Sequence, residues 1–215
     1  MRKEKQMINF EIRKHKLTPF DSMSFTIIRA DKFKTINWSG GTSTQLYIYP
    51  ETADYRLRNF DFRLSTAKVE VEKSDFTPLS GVSRKIMILD GQIEISHKNH
   101  YRKKLKQFDV DEFEGDWQTS SVGICTDFNL MTQGKTKGEL SSLTLLNKQT
   151  HDFSITDKQT KVFIYLYSGK IDFNNQGYDY TLNQGDLLVL SKLTIAELQI
   201  LAIENSKMVV SIIFN

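Results

Sequence analysis

The octapeptide Ile88-Leu89-Asp90-Gly91-Gln92-Ile93-Glu94-Ile95 returns as Leu166-Tyr167-Ser168-Gly169-Lys170-Ile171-Asp172-Phe173. In each copy an apolar run stops at a glycine and resumes with apolar residues at every second position. That pattern predicts two strands joined by a turn in which glycine takes φ > 0. Each copy leads to a Gly-Asp pair, Gly115-Asp116 and Gly185-Asp186, read as a second turn with a side-chain cap. The interval is 24 residues from Gly91 to Gly115 and 16 from Gly169 to Gly185. The longer one holds the basic stretch His97–Lys106, which is expected at an extended hairpin tip.

Strand signals spread outward from this repeat. Phe25–Arg29, Gln45–Tyr49, Phe60–Glu72, Lys85–Leu89, Gln92–Ser96, Lys161–Tyr167, Gly169–Phe173, Leu187–Leu190 and Met208–Phe214 are rich in β-branched and aromatic residues, with turn formers between them. Few windows hold apolar residues at helical spacing; Ser22–Ser24 and Leu193–Glu204 are ambiguous, and 195–203 reads equally as a strand. The class is all-β. The duplication makes it two cupin-type jelly-roll modules in tandem, a bicupin, with one continuous sandwich as the weaker alternative. The expected organisation is an N-terminal appendage at 1–22, a first module at 23–145 and a second at 146–215. The chain termini are free to exchange strands between the modules.

Composition narrows the classes of function. With 215 residues, 39% apolar and 26% charged, the chain supports a sizeable core and resembles neither a disordered nor a membrane-embedded sequence. It has no apolar run of about 18 residues and no secretory leader pattern, so a membrane partner is not expected. A single cysteine, Cys125, fits a reducing compartment, and a cytoplasmic location is expected. The net charge of +3 is local: residues 1–16 carry +4 and the other 199 carry −1. A nucleic-acid-binding face makes the folded domain itself basic, so no nucleic-acid partner is expected.

The four histidines, His15, His97, His100 and His151, do not form a ligand set. His97 and His100 sit three apart among cations, on opposite faces of any strand, and read as a surface loop. No metal and no cofactor are expected. Cys125 reads as a small buried hydrophobe, and there is no nucleophile elbow, P-loop or dinucleotide fingerprint. Two strands are more informative. In 60–69, alternation turns Arg63, Ser65, Ala67 and Val69 to one face and Phe60, Phe62 and Leu64 to the other. If the aromatic face packs on another sheet, Arg63 faces the module interior. There it needs a partner, either an internal carboxylate or an anionic ligand. In 126–131 the same rule groups Asp127, Asn129 and Met131 opposite Phe128 and Leu130. Arg84 adds a second cation, so two arginines against one aspartate suit a carboxylate held bidentately. Trp38-Ser39-Gly40-Gly41 is either a plain hairpin turn or a place where backbone meets a ligand beneath an aromatic lid.

These blocks resemble the HutD/Ves family: Trp38-Ser39-Gly40-Gly41 with Thr44, 60–70, 75–84 running into 88–95, 113–116, and 127–131. The resemblance covers roughly residues 24–215, with its specific motifs before 132. It implies a bicupin without the usual metal ligands. Members often accompany histidine-utilisation genes, with a proposed regulatory role in sensing a pathway metabolite and no established enzymatic activity. Carried over by position, the implied pocket residues are Trp38, Gly40, Thr44, Arg63, Ser65, Arg84, Asp127 and Asn129. Many members place an Asn after the Trp and space Trp and Thr one residue further apart, so ligand identity does not transfer.

The leading expectation is a non-enzymatic protein that binds or senses a small carboxylate metabolite, of the formylated or formiminated glutamate kind. Arg63 grips the carboxylate, Ser65 and Asn129 donate hydrogen bonds, Trp38 covers the stem, and Asp127 orients Arg63. One alternative is a metal-independent isomerase or hydrolase using Asp127, disfavoured if the arginine depresses the Asp127 pKa. The other is an interaction scaffold. Exposed cupin sheets also allow a homodimer. Because the strand pattern begins after Met23, deleting residues 1–22 is expected to leave the melting temperature nearly unchanged; loss of soluble protein overturns this.

Overall fold

The computed structural model describes residues 24–155, 161–175, 177–191 and 196–214. The appendage expected at 1–22 and part of the ambiguous stretch after Leu193 lie outside the described residues. The strands are β1 Ser24–Ile28, β2 Lys34–Trp38, β3 Gly41–Tyr49, β4 Phe62–Val69, β5 Lys73–Asp75, β6 Val82–Gly91, β7 Ile93–His97, β8 Arg102–Leu105, β9 Val110–Glu114 and β10 Thr119–Val122. They continue with β11 Cys125–Gln133, β12 Lys137–Leu145, β13 Thr150–Ile155, β14 Lys161–Ser168, β15 Lys170–Asn175, β16 Tyr178–Asn183, β17 Leu187–Ser191, β18 Ala196–Ala202 and β19 Ser206–Phe214. Among the described residues one 3₁₀ turn, Ala30–Lys32, accompanies them, and no helix is long and apolar enough to cross a membrane.

The strands form four antiparallel sheets, and the duplication is visible in their order. The first pair is β2-β3-β4-β11-β6-β9 facing β5-β10-β7-β8; the second is β12-β19-β14-β17-β1 facing β13-β18-β15-β16. Apart from β1, β2 and β3, each strand of one pair has its counterpart in the other, the arrangement of a tandem cupin. The two six- and five-stranded sheets pack back to back. Phe62, Leu64, Phe128 and Leu130 of the first meet Phe163, Leu187, Val209 and Ile213 of the second in one buried layer. Separate cores fill the two modules, around Ile86, Ile88 and Ile95 in the first and Ile164, Leu190 and Ile200 in the second.

Two expectations need correction. β12 falls inside the span assigned to the first module, yet it pairs along its whole length with β19. Leu143 and Leu145 explain this, because they pack into the second module's core; β12 is that module's counterpart of β4. β1, an N-terminal strand of the kind left free to exchange, pairs with β17, and buried Asp186 fastens it: Oδ1 accepts from the Ala30 N–H at 3.0 Å and Oδ2 from Arg29 at 2.7 Å. The second correction concerns the repeat. Gly91 and Gly169 do take φ of +78° and +91°, but the counterpart of Gly185-Asp186 is Phe108-Asp109. Phe108 N–H donates to Ile88 O at 2.7 Å as Gly185 N–H does to Leu166 O. Asp109 and Asp186 accept from Lys106 N–H and Asn183 N–H, each at 3.0 Å. Phe108 adopts φ of +66°, so the position needing a left-handed backbone carries no glycine and escaped the pattern. Gly115 is not left-handed; a Cβ there would collide with the carbonyls of Leu79 and Val82.

Because the shared layer belongs to both modules, urea is expected to unfold the protein in one transition. Phe163→Ala is expected to cost about 3–5 kcal/mol in that transition. Two separated transitions, or a cost below about 1 kcal/mol, contradict the shared layer.

Candidate functional site

Register decides which side chains share the lumen of the first module. Across β4, β11 and β6, Arg63, Met131 and Arg84 form one row, and Ser65, Asn129 and Ile86 the next. Ala67, Asp127 and Ile88 form the third. All face the smaller sheet, since their neighbours Phe62, Leu64, Phe128 and Leu130 are committed to the opposite layer. Two guanidiniums therefore flank a methionine at one end of the lumen, with an amide and a carboxyl deeper along the same strand. Beside them opens a cavity of ≈ 260 Å³, lined also by exposed Trp38 and Asp75 and by half-buried Tyr55 and Phe76. At about 30 Å³ per water molecule, it has room for a small organic acid.

Among the described residues neither guanidinium has an acid to itself. Arg63 Nε donates to Gln45 Oε1 at 3.1 Å and Nη1 to Ser65 Oγ at 2.8 Å, and its plane lies 4.4 Å from the Tyr55 ring centre. Arg84 sits 4.9 Å from the ring centre of Phe76 and 5.2 Å from that of Phe113. Its Nη2 donates to Asn129 Oδ1 at 3.4 Å, and its buried Nε has no partner. Among the described residues, no carboxylate comes within ion-pair distance of either. Burial lowers the pKa of Arg63 and pushes Arg84 down to about 10.

Asp127 departs from expectation. It does not bond Arg63; its Oδ1 accepts a short hydrogen bond from Asn129 Nδ2, and Oδ2 lies 4.0 Å from Cys125 Sγ. Complete burial raises its carboxyl to about 7, against the opposing pull of Arg84 and of the Asn129 hydrogen bond. The depressed pKa expected beside an arginine fails because desolvation outweighs a cation that makes no direct contact.

The other candidates divide. Ser65, Asn129, Arg63, Arg84, Asp127 and Trp38 are brought together. Gly40 lies outside the lining, but a Cβ there would overlap the Trp38 ring, so it lets that ring lie over the hairpin. Thr44 is not in the cavity: on β3 it pairs with Thr66, and its hydroxyl meets Thr35 Oγ1 at 2.8 Å. Ser43 and Gln45 occupy the inward face instead, as strand alternation would have indicated. Tyr55 and Phe76 come from irregular segments with no periodicity to reveal them. His97 is no surface residue. It ends the inward series Ile93, Ile95, His97, with Nε2 2.9 Å from Asp111 Oδ2 and Nδ1 2.8 Å from Thr119 Oγ1. His100 is exposed and stacks on Trp117 at 3.7 Å. Among the described residues no three His, Cys, Asp or Glu gather as a metal site.

The family model described as HutD matches residues 30–210. None of the curated proteins matches the chain. Among solved structures, the conserved protein of unknown function PA5104 from Pseudomonas aeruginosa PAO1 is 20% identical, with 89% of this chain and 100% of that one covered at a TM-score of 0.76. HutD from Pseudomonas fluorescens SBW25, in its formate condition, is 20% identical over 88% and 98% of the two chains, with a TM-score of 0.70. The bacterial pirin YhhW from Escherichia coli, in complex with nickel(II), is 12% identical over 87% and 98%, with a TM-score of 0.68. At these identities the likeness is one of fold.

An acid whose folded pKa lies above its unfolded value favours folding at low pH and loses that contribution as pH rises through the folded pKa. Asp127, raised to about 7, therefore penalises folding at pH 8 but not at pH 4. Asp127→Asn is expected to be more stable than wild type by a few kcal/mol in urea at pH 8 and nearly equal at pH 4. A variant less stable at pH 8 contradicts this placement.

Proposed function

The chain belongs to the HutD family, and from that premise we propose that its first module is a non-enzymatic binding or sensing site for a small carboxylate metabolite, of the kind met in histidine degradation. One observation carries the reading: buried Arg84 and Arg63 line a cavity, and among the described residues neither has an ion-paired acid and Arg84 Nε has no partner. A buried cation with an unmade hydrogen bond is costly, and an arriving carboxylate repays that cost with charge-assisted bonds. Arg63 and Arg84 hold the anion, Ser65 and Asn129 fix its register, and Trp38 with Tyr55 covers the apolar stem. Gly40 shapes the mouth, and Thr44 has no part. The aromatic faces on both guanidiniums hold them in plane without consuming their charge.

A second reading, catalysis by Asp127 as general base, is favoured by its raised pKa, since a base works best when it titrates near the operating pH. Turnover of a cavity-sized acid, lost in Asp127→Asn, distinguishes this reading.

Calorimetry with formate, acetate, glutarate and N-formylglutamate tests the binding reading. At least one acid is expected to bind wild type, and Arg63→Ala and Arg84→Met each to weaken it by roughly 30-fold or more. Wild type that binds none of the four, or variants that bind as wild type does, would end the proposal.

A further inference from the structure

The binding reading gives Asp127 no task, although it is a fully buried carboxyl in the cavity wall. The hydrogen-bond directions around it follow from Arg84, which can only donate. Arg84 Nη2 therefore fixes Asn129 with Oδ1 towards itself, and Asn129 Nδ2 is left to donate to Asp127 Oδ1. That oxygen accepts the strong hydrogen bond, so any proton on Asp127 sits on Oδ2. Oδ2 faces the Cys125 thiol, a weak donor to it at 4.0 Å, which burial pushes up to about 12 and which brings no charge, so a proton on Oδ2 displaces no strong hydrogen bond. The other charged or titratable groups around the cavity are Arg84 on β6, Arg63 on β4, Tyr55 in the β3–β4 connection and Asp75 on β5. On β7 and β9, buried His97 and Asp111 are bonded to each other. Among the described residues no cation makes a direct ion pair with Asp127.

We propose that the cavity takes up its anion together with one proton, which is held on Asp127 Oδ2. This rests on the binding reading above and assigns that site its regulation. An anion seated against Arg63 and Arg84 neutralises the cations that favour ionised Asp127 and adds negative charge beside it. Both effects raise the proton affinity of Asp127. Linkage is reciprocal, so protonation of Asp127 raises affinity for the anion by the same factor. The carboxyl, already raised to about 7 by its burial, puts the coupling near neutral pH. The cavity thus holds its ligand more tightly as the surroundings acidify, and Asn129, joining Arg84 to Asp127, ties the two events together.

Calorimetry of the full chain with N-formylglutamate and, in parallel, acetate tests this in phosphate and Tris, buffers of different ionisation heat. At pH 8 wild type is expected to take up close to one proton per acid bound. Affinity should fall by up to about tenfold per pH unit between roughly pH 7 and 8.5 and stay level below about pH 6. Asp127→Asn should keep binding, with no uptake and no pH dependence over that range. In wild type itself, the infrared band of a protonated buried carboxyl should grow on adding the acid. Binding with equal apparent enthalpy in both buffers, uptake that survives in Asp127→Asn, or no new carboxyl band overturns the proton coupling and leaves the binding reading standing. Failure of wild type to bind either acid at any pH counts against the binding reading first.

Discussion

Strands β4 and β11 serve two environments at once, and that double duty organises the protein. Phe62, Leu64, Phe128 and Leu130 are almost wholly buried against the second module, with exposures of 0–1%. Because side chains alternate, committing these positions to the layer between modules leaves Arg63, Ser65, Asp127 and Asn129 nowhere to point but the lumen. A slip of one residue in these strands would put Arg63 and the Asp127 carboxyl into an apolar layer. The apolar packing therefore pins the polar site in place, and the site's cost is carried by the layer behind it.

The duplicated architecture is not matched by duplicated chemistry. Following the register, the second module sets Met208 and Val210 where the first has Asp127 and Asn129, and Val162 where the first has Arg84. Leu143 stands in the place of Ala67. Those residues join Phe25, Phe173 and Tyr180 in a continuous apolar core. The second module thus offers a filled apolar core, and the first offers a charged hollow. A packed layer behind a binding site favours guanidiniums held in place over ones that must be ordered by the ligand.

The readable parts of the site share one property: they depend on spacing along a single strand. Arg63 with Ser65, and Asp127 with Asn129, follow from a period of two. Thr44 matches a motif position but not the inward alternation, and the strand turns it to the outer face beside Thr35. The basic neighbours of His97 mimic a loop, although Ile93 and Ile95 mark its face as inward. Phe108 escaped because a left-handed backbone there is imposed by the closing hydrogen bond to Ile88 and by Asp109, not by a residue type that prefers it.

The order of polar and apolar side chains along each strand, and the repeat that doubles them, were written in the amino-acid sequence, because a strand's alternation is a local property of the backbone. Which module owns β1 and β12, and what surrounds each charge, were settled only on folding. The solitary Nε of Arg84 and the raised carboxyl of Asp127 depend on which groups fail to reach them. Such absences are set by residues far away in the chain, so no local pattern records them.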